Sequence, residues 1–354
     1  GRLAYIIPSE FLNSKYGVAI KNILVQQKLI RAIINFQNND EVFYNATTTC
    51  CILLLDKEKK DVVRFFNLKS VEDIVGLNVD ADNTEIVIKE YKDLNPEQKW
   101  RSFLNHEEPE EYNNLVSVST FCSVTRGIAT GANDYFCFSP SKVRENNIPS
   151  HLLTKCITKS ADVKSLIFTD TEYESLVAKD KQVYVLDAKE QDREQIINYI
   201  IKGEAEGIDK KYLPSCRKPW FSMEQKGIAP IWVCPANRNS VKFVRNLAGI
   251  KTLTTFHSVM ISTLFESYTD LIFCYFITPI AQKILRENRK ELGNGLEKFQ
   301  PNDLNSAYML DVTKIEENDV EEVNGLFECI KNKPNDRCET EIGILNLIFE
   351  KYIK

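Results

Sequence analysis

The sequence predicts an α/β protein in two parts, a wound sheet at the start of the chain and a mixed α+β domain after it. Three observations carry this. Residues 2–7, 30–36 and 47–55 are short apolar runs, with one helical stretch between the first two. That strand, helix, strand, strand order belongs to a wound sheet. Residues 105–114 (NHEEPEEYNN) are polar, acidic and contain a proline, as a linker does. Beyond them short strand signals alternate with short helices, and the chain closes on two amphipathic helices within 314–354.

Each element has a local reason. Residues 2–7 lie between Gly1 and Pro8 and read as a buried strand. Ser9 is placed to cap a helix running to about Gln27, with Phe11, Val18, Ile20, Ile23, Leu24 and Leu29 at roughly helical spacing. A polar loop, residues 37–45, separates the next two strands. A chain that begins on a strand wanting cover on both faces is expected to carry only part of its sheet. Charged residues 56–61 mark a turn. Residues 62–66 and 85–91 read as strands, Ser70 as the cap of a short helix, and residues 94–104 as a helix with Pro96 near its start. The reading is a first domain at residues 1–104, a linker at 105–114 and a second domain at 115–354.

The totals exclude little. The chain has 354 residues, a formal net charge of −5 and 43% apolar residues, values of an ordinary globular protein. No run approaches the ~20 apolar residues of a membrane span. A locally basic face is compatible with an acidic total, so the charge does not exclude nucleic acid. Ten cysteines are irregularly spaced, without a C-x-x-C pair, and there are three histidines. That argues against zinc and for reduced, mostly buried thiols in a cytoplasmic protein.

In the second domain, residues 126–134 (RGIATGAND) are small and glycine-rich with one guanidinium. They read either as a hairpin turn before a strand at 135–138 or as backbone that meets a phosphate. Pro140 starts one short helix and Asp170 caps another. Residues 182–187 read as a strand and 193–201 as an amphipathic helix leading into Gly203-Glu204-Ala205-Glu206-Gly207-Ile208. From Arg217 to Lys242, five cations (Arg217, Lys218, Lys226, Arg238, Lys242) face one acid, Glu224, with Arg245 following. On strands, such cations line a face that meets phosphates or base edges, or else a merely solvated one. Trp232 belongs in the core, and His257, in an apolar strand, reads as a satisfied core histidine. Residues 270–277 are a core helix ended before Pro279. Gly293-Asn294-Gly295 makes a tight turn after the following helix.

Taken together, these segments resemble adenine-N6 DNA methyltransferases of restriction–modification systems, the gamma class with a TaqI-like target recognition domain. The resemblance covers nearly the whole chain. Its marks are Gly1, Leu3, Ile6 and Pro8, which match a G-x-L-x-x-I-x-P strand, then Val42-Phe43 before a β-branched strand. In the second domain they are G-I-x-T-G-x-N-x-x-F at 127–136, Y-I-x-x-G-E-x-x-G-I at 199–208, R-K-P-W at 217–220, K-F-V-x-N at 242–246 and a glycine turn before L-x-K-F-x-P at 296–301. The Asn-Pro-Pro-Tyr loop and the glycine-rich cofactor loop of the family do not occur in this sequence.

The resemblance implies a partial Rossmann-like methyltransferase sheet followed by a target recognition domain. It implies S-adenosylmethionine as cofactor of the whole protein, duplex DNA as partner and a cognate restriction endonuclease as functional companion. In the family the aromatic residue of the V-F segment stacks on the flipped adenine, and Phe43 matches it. On residues alone Phe43 reads rather as an ordinary core aromatic. The expected DNA-binding residues are Arg126, Thr130, Gly131, Asn133, Arg217, Lys218, Arg238, Lys242, Arg245, Asn294 and Lys298. No catalytic, cofactor-binding or metal residue is expected in this chain, which is expected to be inactive alone. A reading from another class is a stand-alone DNA-binding specificity module without catalysis.

Overall fold

The computed structural model describes the chain except for residues 37–49, 59, 82–85, 99, 105–111, 238–239, 287–289, 293–295 and 334–337; for residues 15, 237, 286, 290–292 and 296–298 it describes backbone alone. The chain separates into two units. One holds residues 1–111 and 289–298, the other residues 112–288 and 299–354.

The first unit is a five-stranded mixed sheet with one long helix. Its strands are β1 (Arg2–Pro8), β2 (Ile30–Phe36), β3 (Cys50–Asp56), β4 (Val62–Leu68) and β5 (Val87–Glu90), and its helix is α1 (Lys15–Gln26). The order across the sheet is β1-β3-β2-β4-β5. β2 and β4 run parallel, and the other neighbours are antiparallel. Alternation along β2 to β4 divides the core. Ile33, Cys51, Leu53, Val63 and Phe65 pack on one face; Ala32, Ile34, Cys50 and Phe66 on the other.

Three expectations are corrected here. The helix expected from Ser9 is broken. Residues Ser9–Leu12 form a 3-10 turn, and α1 starts afresh after Ser14, whose hydroxyl accepts a hydrogen bond from the Gly17 amide. The strand at 2–7 is not buried. β1 is an edge strand bonded only to β3, and Leu3, Tyr5 and Ile6 are exposed, as are Tyr16, Ile20 and Ile23 of α1. Apolar composition signals that a surface wants cover; it does not signal which chain supplies it. Residues 94–104 also differ from expectation, since only Trp100–Leu104 is helical, and as a 3-10 turn.

Lys21 lies in this core at 1% exposure. Its ammonium donates to the Leu12 carbonyl (3.0 Å) and the Gln98 carbonyl (2.8 Å) and sits 5.3 Å from the Trp100 ring centroid. One charged group thereby joins the 3-10 turn, α1 and the 95–104 segment.

The second unit runs through β6 (Leu115–Ser117), β7 (Cys122–Arg126), α2 (Asn133–Phe136), β8 (Cys137–Phe138), α3 (Pro140–Glu145), β9 (Leu153–Ile157), β10 (Ile167–Phe168), α4 (Asp170–Ala178), β11 (Tyr184–Leu186), α5 (Ile197–Ala205), α6 (Tyr212–Ser215), β12 (Ile231–Val233) and β13 (Ala236–Asn237). It continues with β14 (Phe243–Asn246), β15 (Lys251–Thr252), β16 (His257–Ile261), α7 (Thr269–Phe276) and α8 (Pro279–Arg286). A hairpin of β17 (Lys290–Leu292) and β18 (Leu296–Lys298) follows and clusters with the first unit. The chain closes with α9 (Pro301–Asn305), β19 (Tyr308–Leu310), α10 (Glu317–Lys331) and α11 (Glu339–Ile353).

A five-stranded sheet, β10-β14-β12-β16-β7, divides this unit. One face packs on α7, α8, α10 and α11 through Ile231, Val233, Phe243, Phe273 and Phe349. The other carries Trp232, Phe168, Phe256 and Tyr173. Trp232 is fully buried, as expected, and the buried His257 ring meets the Phe299 carbonyl at 3.0 Å. A four-stranded sheet, β15-β9-β11-β8, supports a third core described below. Residues 133–136 are a helical turn, not the strand expected from 135 onward; just before it the Thr130 hydroxyl donates to the Asn133 side-chain oxygen and accepts from the Ala132 amide. No disulfide joins any of the ten cysteines, and seven of them are buried.

Burial holds the Lys21 pKa down at about 8, against an ordinary 10.5. Between those values the unfolded chain keeps a proton that the folded chain has lost, so this group makes stability rise with pH. Denaturant melts from pH 8 to 10 should therefore show a more positive stability slope in the wild type than in Lys21→Met, by up to about 1 kcal/mol per pH unit. Parallel slopes would show that the ammonium is not desolvated.

Candidate nucleic-acid interface

Three motifs far apart in sequence meet in the second unit. The segment 127–136 supplies Tyr135 and Phe136, the segment 199–208 supplies Tyr199, Gly203 and Glu204, and the segment 217–220 supplies Arg217 and Trp220. Tyr135 and Tyr199 stack at 4.5 Å between centroids and exchange hydrogen bonds, each hydroxyl donating to the other's carbonyl, at 2.8 and 2.7 Å. Burial pushes both phenols well above their ordinary range, so both remain donors. Trp220 lies 5.6 Å from Tyr135 and 6.3 Å from Phe136, and its indole N–H donates to the Glu204 carboxylate at 3.3 Å.

Two glycines make this approach possible. A Cβ on Gly203 would lie 2.6 Å from the Trp220 ring and 2.7 Å from the Tyr135 hydroxyl. Gly131 has φ +79°, and a Cβ there would lie 2.8 Å from both Leu213 and Pro214. The glycine-rich turn is thus packed against α6. The Lys142 ammonium caps α2 by donating to the carbonyls of Asp134, Tyr135 (3.0 Å) and Cys137 (2.7 Å).

The structure sorts the expected DNA-binding residues. Thr130 is buried at 1% exposure, and its hydroxyl is engaged by the Ala132 amide and the Asn133 side chain. Arg217 is half-buried over the Phe136 ring and donates to the carbonyls of Ala129 and Ser222. The Lys242 ammonium donates to the Val163 carbonyl. Arg245 has a side chain 13% exposed, ion-paired to Asp270 at 2.6 Å and donating to the Pro230 carbonyl. An open row of cations on strands is therefore corrected. Arg217, Lys242 and Arg245 are turned onto backbone carbonyls, and burial lowers the pKa of Arg217 and of Lys242. Arg126, Asn133 and Lys218 are exposed, with Arg126 bonded to Gln300 at 2.9 Å. Arg238 and Asn294, like Phe43, lie outside the described residues, as does the side chain of Lys298.

Beside the knot opens a cleft of about 410 Å³, lined by Tyr135, Tyr199, Lys202, Glu206, Ile208 and Lys211 among others. Next to it Tyr212 stands 81% exposed at the start of α6. Sequence reading passed over Lys202, Lys211 and Tyr212; the signal available was the Lys-Lys-Tyr triplet two residues after a motif. Among the described residues, no three of His, Cys, Asp and Glu gather as a metal site, and no helix is long and apolar enough to cross a membrane.

A mixed sheet joined to a larger α+β unit is compatible with a restriction–modification DNA methyltransferase, and the comparisons find that family. Residues 97–336 match the C-terminal domain of the type II methyltransferase M.Eco57I, and residues 1–126 match the N-6 DNA methylase family. The chain belongs to this family of type II restriction–modification N6-adenine methyltransferases. It is 38% identical to the type II methyltransferase M.AccI of Acinetobacter calcoaceticus across 99% of its own length and 67% of that protein's. It has the fold of the type IIL restriction-modification enzyme MmeI, solved in complex with DNA, with TM-score 0.57 at 12% identity, covering 99% of this chain and 46% of that one. The type IIG restriction endonuclease BpuSI is also similar, with TM-score 0.48 at 13% identity over 45% of its length. The chain thus spans less than half of the solved enzymes it matches. The matched proteins are methyltransferases and restriction enzymes, not stand-alone specificity modules.

Because Gly203 has no room for a methyl group, Gly203→Ala should destabilise the second unit by about 1–3 kcal/mol. Urea unfolding followed by tryptophan fluorescence measures it, and an unchanged midpoint would mean the Trp220 contact is loose.

Proposed function

We propose that the whole protein transfers a methyl group from S-adenosylmethionine to adenine N6 in duplex DNA, at a site read by its second unit, within the cytoplasm. It would protect host DNA from a cognate restriction endonuclease. One observation carries this reading: likeness to a type II methyltransferase runs through 99% of the chain, over both units.

The chemistry divides between this chain and the rest of the protein. N6 is inaccessible inside a base pair, so the adenine must leave the stack. Acceptors must then take up charge developing on the amine. The glycine near the start of α1 is not a cradle for the cofactor. Gly17, beside the 3-10 turn, is where a Cβ would sit 1.9 Å from the Phe11 carbonyl oxygen, so it serves helix packing. No step is routed through the cofactor here. What this chain contributes in the proposal is a wall of the base pocket at Phe43, within residues outside those described, and the DNA contacts of the second unit. Among the expected contacts, Arg126, Asn133 and Lys218 keep exposed side chains suited to that role.

The test uses the whole protein, S-adenosylmethionine carrying a labelled methyl group and a pool of random-sequence duplexes. Label should appear as N6-methyladenine within one short sequence; label on cytosine, or none, would sink the reading. In the same assay Phe43→Ala should slow transfer by roughly tenfold to a hundredfold, the worth of a base–aromatic stack, with the thermal melt unchanged. Unaltered turnover would remove Phe43 from the pocket.

A further inference from the structure

We propose that Lys210, Lys211 and Tyr212 form a finger that contacts duplex DNA, the two ammonium groups on backbone phosphates and the Tyr212 ring against a base or sugar. The inference rests on the reading of the second unit as the DNA-recognition part and names contact residues for it.

The first argument is exposure. Tyr212 is 81% exposed, whereas Tyr135, Tyr173, Tyr199 and Tyr275 of the same unit are buried. A bare aromatic ring on a surface costs hydration free energy, and its natural partner is another flat or apolar surface. The second argument is charge. Residues 209–218 (DKKYLPSCRK) hold four cations, Lys210, Lys211, Arg217 and Lys218, against one acid, Asp209, in a chain whose total is −5. Arg217 is spent on the Ala129 and Ser222 carbonyls, while Lys210, Lys211 and Lys218 are exposed. A basic island around an exposed ring is complementary to a polyanion with stacked bases. The adjoining cleft carries both signs, Lys142, Lys202 and Lys211 with Asp134 and Glu206.

The third argument is rigidity. α6 is seated on the Gly131 turn, Pro214 is buried, and the Ser215 hydroxyl donates to the Tyr212 carbonyl at 2.9 Å. Behind it, Arg217 ties the end of the finger to Ala129. The stacked tyrosines and Trp220 hold the segments that flank it. A ring presented on a held support loses little freedom on binding. This also gives the motif knot a purpose: its side chains face inward, and what they position is the finger.

The test measures binding of the whole protein to random-sequence duplexes by anisotropy, across a salt series, with melting curves to confirm the fold. In Lys210→Ala/Lys211→Ala the slope of log affinity against log salt should fall by about 2, two phosphate contacts at ~0.9 each. In Tyr212→Ala affinity should fall about tenfold with an unchanged slope, and Tyr212→Phe should bind like the wild type. An unmoved slope in the double variant, or unmoved affinity in Tyr212→Ala, overturns the proposal while wild-type binding leaves the DNA reading standing. A wild type that binds no duplex overturns both.

Discussion

The reciprocal bond between Tyr135 and Tyr199 is the constraint on which the second unit's organisation rests. Each ring covers the other, and each hydroxyl satisfies the other's backbone carbonyl, so neither segment can shift without leaving two buried polar groups unmet. Trp220 closes over the pair only because Gly203 lacks a side chain. Glu204 then fixes the indole, and Arg217, next but two in the chain, reaches the Ala129 carbonyl. Segments some seventy and ninety residues apart are thus held as one body.

That body explains why the family-like motifs have the residues they have. A glycine-rich stretch beside an arginine invites a phosphate-binding reading, and the structure shows a second use for the same chemistry. Gly131 turns the chain where α6 needs room, and the buried Thr130 hydroxyl accepts the Ala132 amide within that turn. Arg217, Lys242 and Arg245 behave likewise. Guanidinium and ammonium groups donate to carbonyls at residues 129, 163 and 230, where they substitute for backbone pairing that irregular segments lack.

Much of the architecture was legible in the sequence because apolar runs of strand or helix length report burial directly. The runs at 30–36 and 270–277 became β2 and α7, whereas the helix expected to be capped by Asp170 starts one residue earlier, with Thr169 and Glu172 forming its capping box and Asp170 inside it. Other features were not legible, for definite physical reasons. Ser9 and Ser14 are equally good caps by type, and the choice of Ser14 follows from the close approach of Gly17 to Phe11. A lysine defaults to solvent, so the burial of Lys21 depends on carbonyls brought from residues 12 and 98. Whether Arg245 faces a partner or Asp270 depends on a helix twenty-five residues away. Side-chain direction for long cations is decided by tertiary neighbours, which composition does not contain.

The edge strand of the first unit has a practical consequence. β1 pairs on one side only and shows Leu3, Tyr5 and Ile6 to solvent, while α1 shows Tyr16, Ile20 and Ile23. An open ladder bordered by greasy side chains is a template for further strands, including those of another copy. Only its two ends carry residues that blunt such pairing, Arg2 and Pro8. Charge placed on that edge, rather than a stronger core, is the change that would deny a further strand its template.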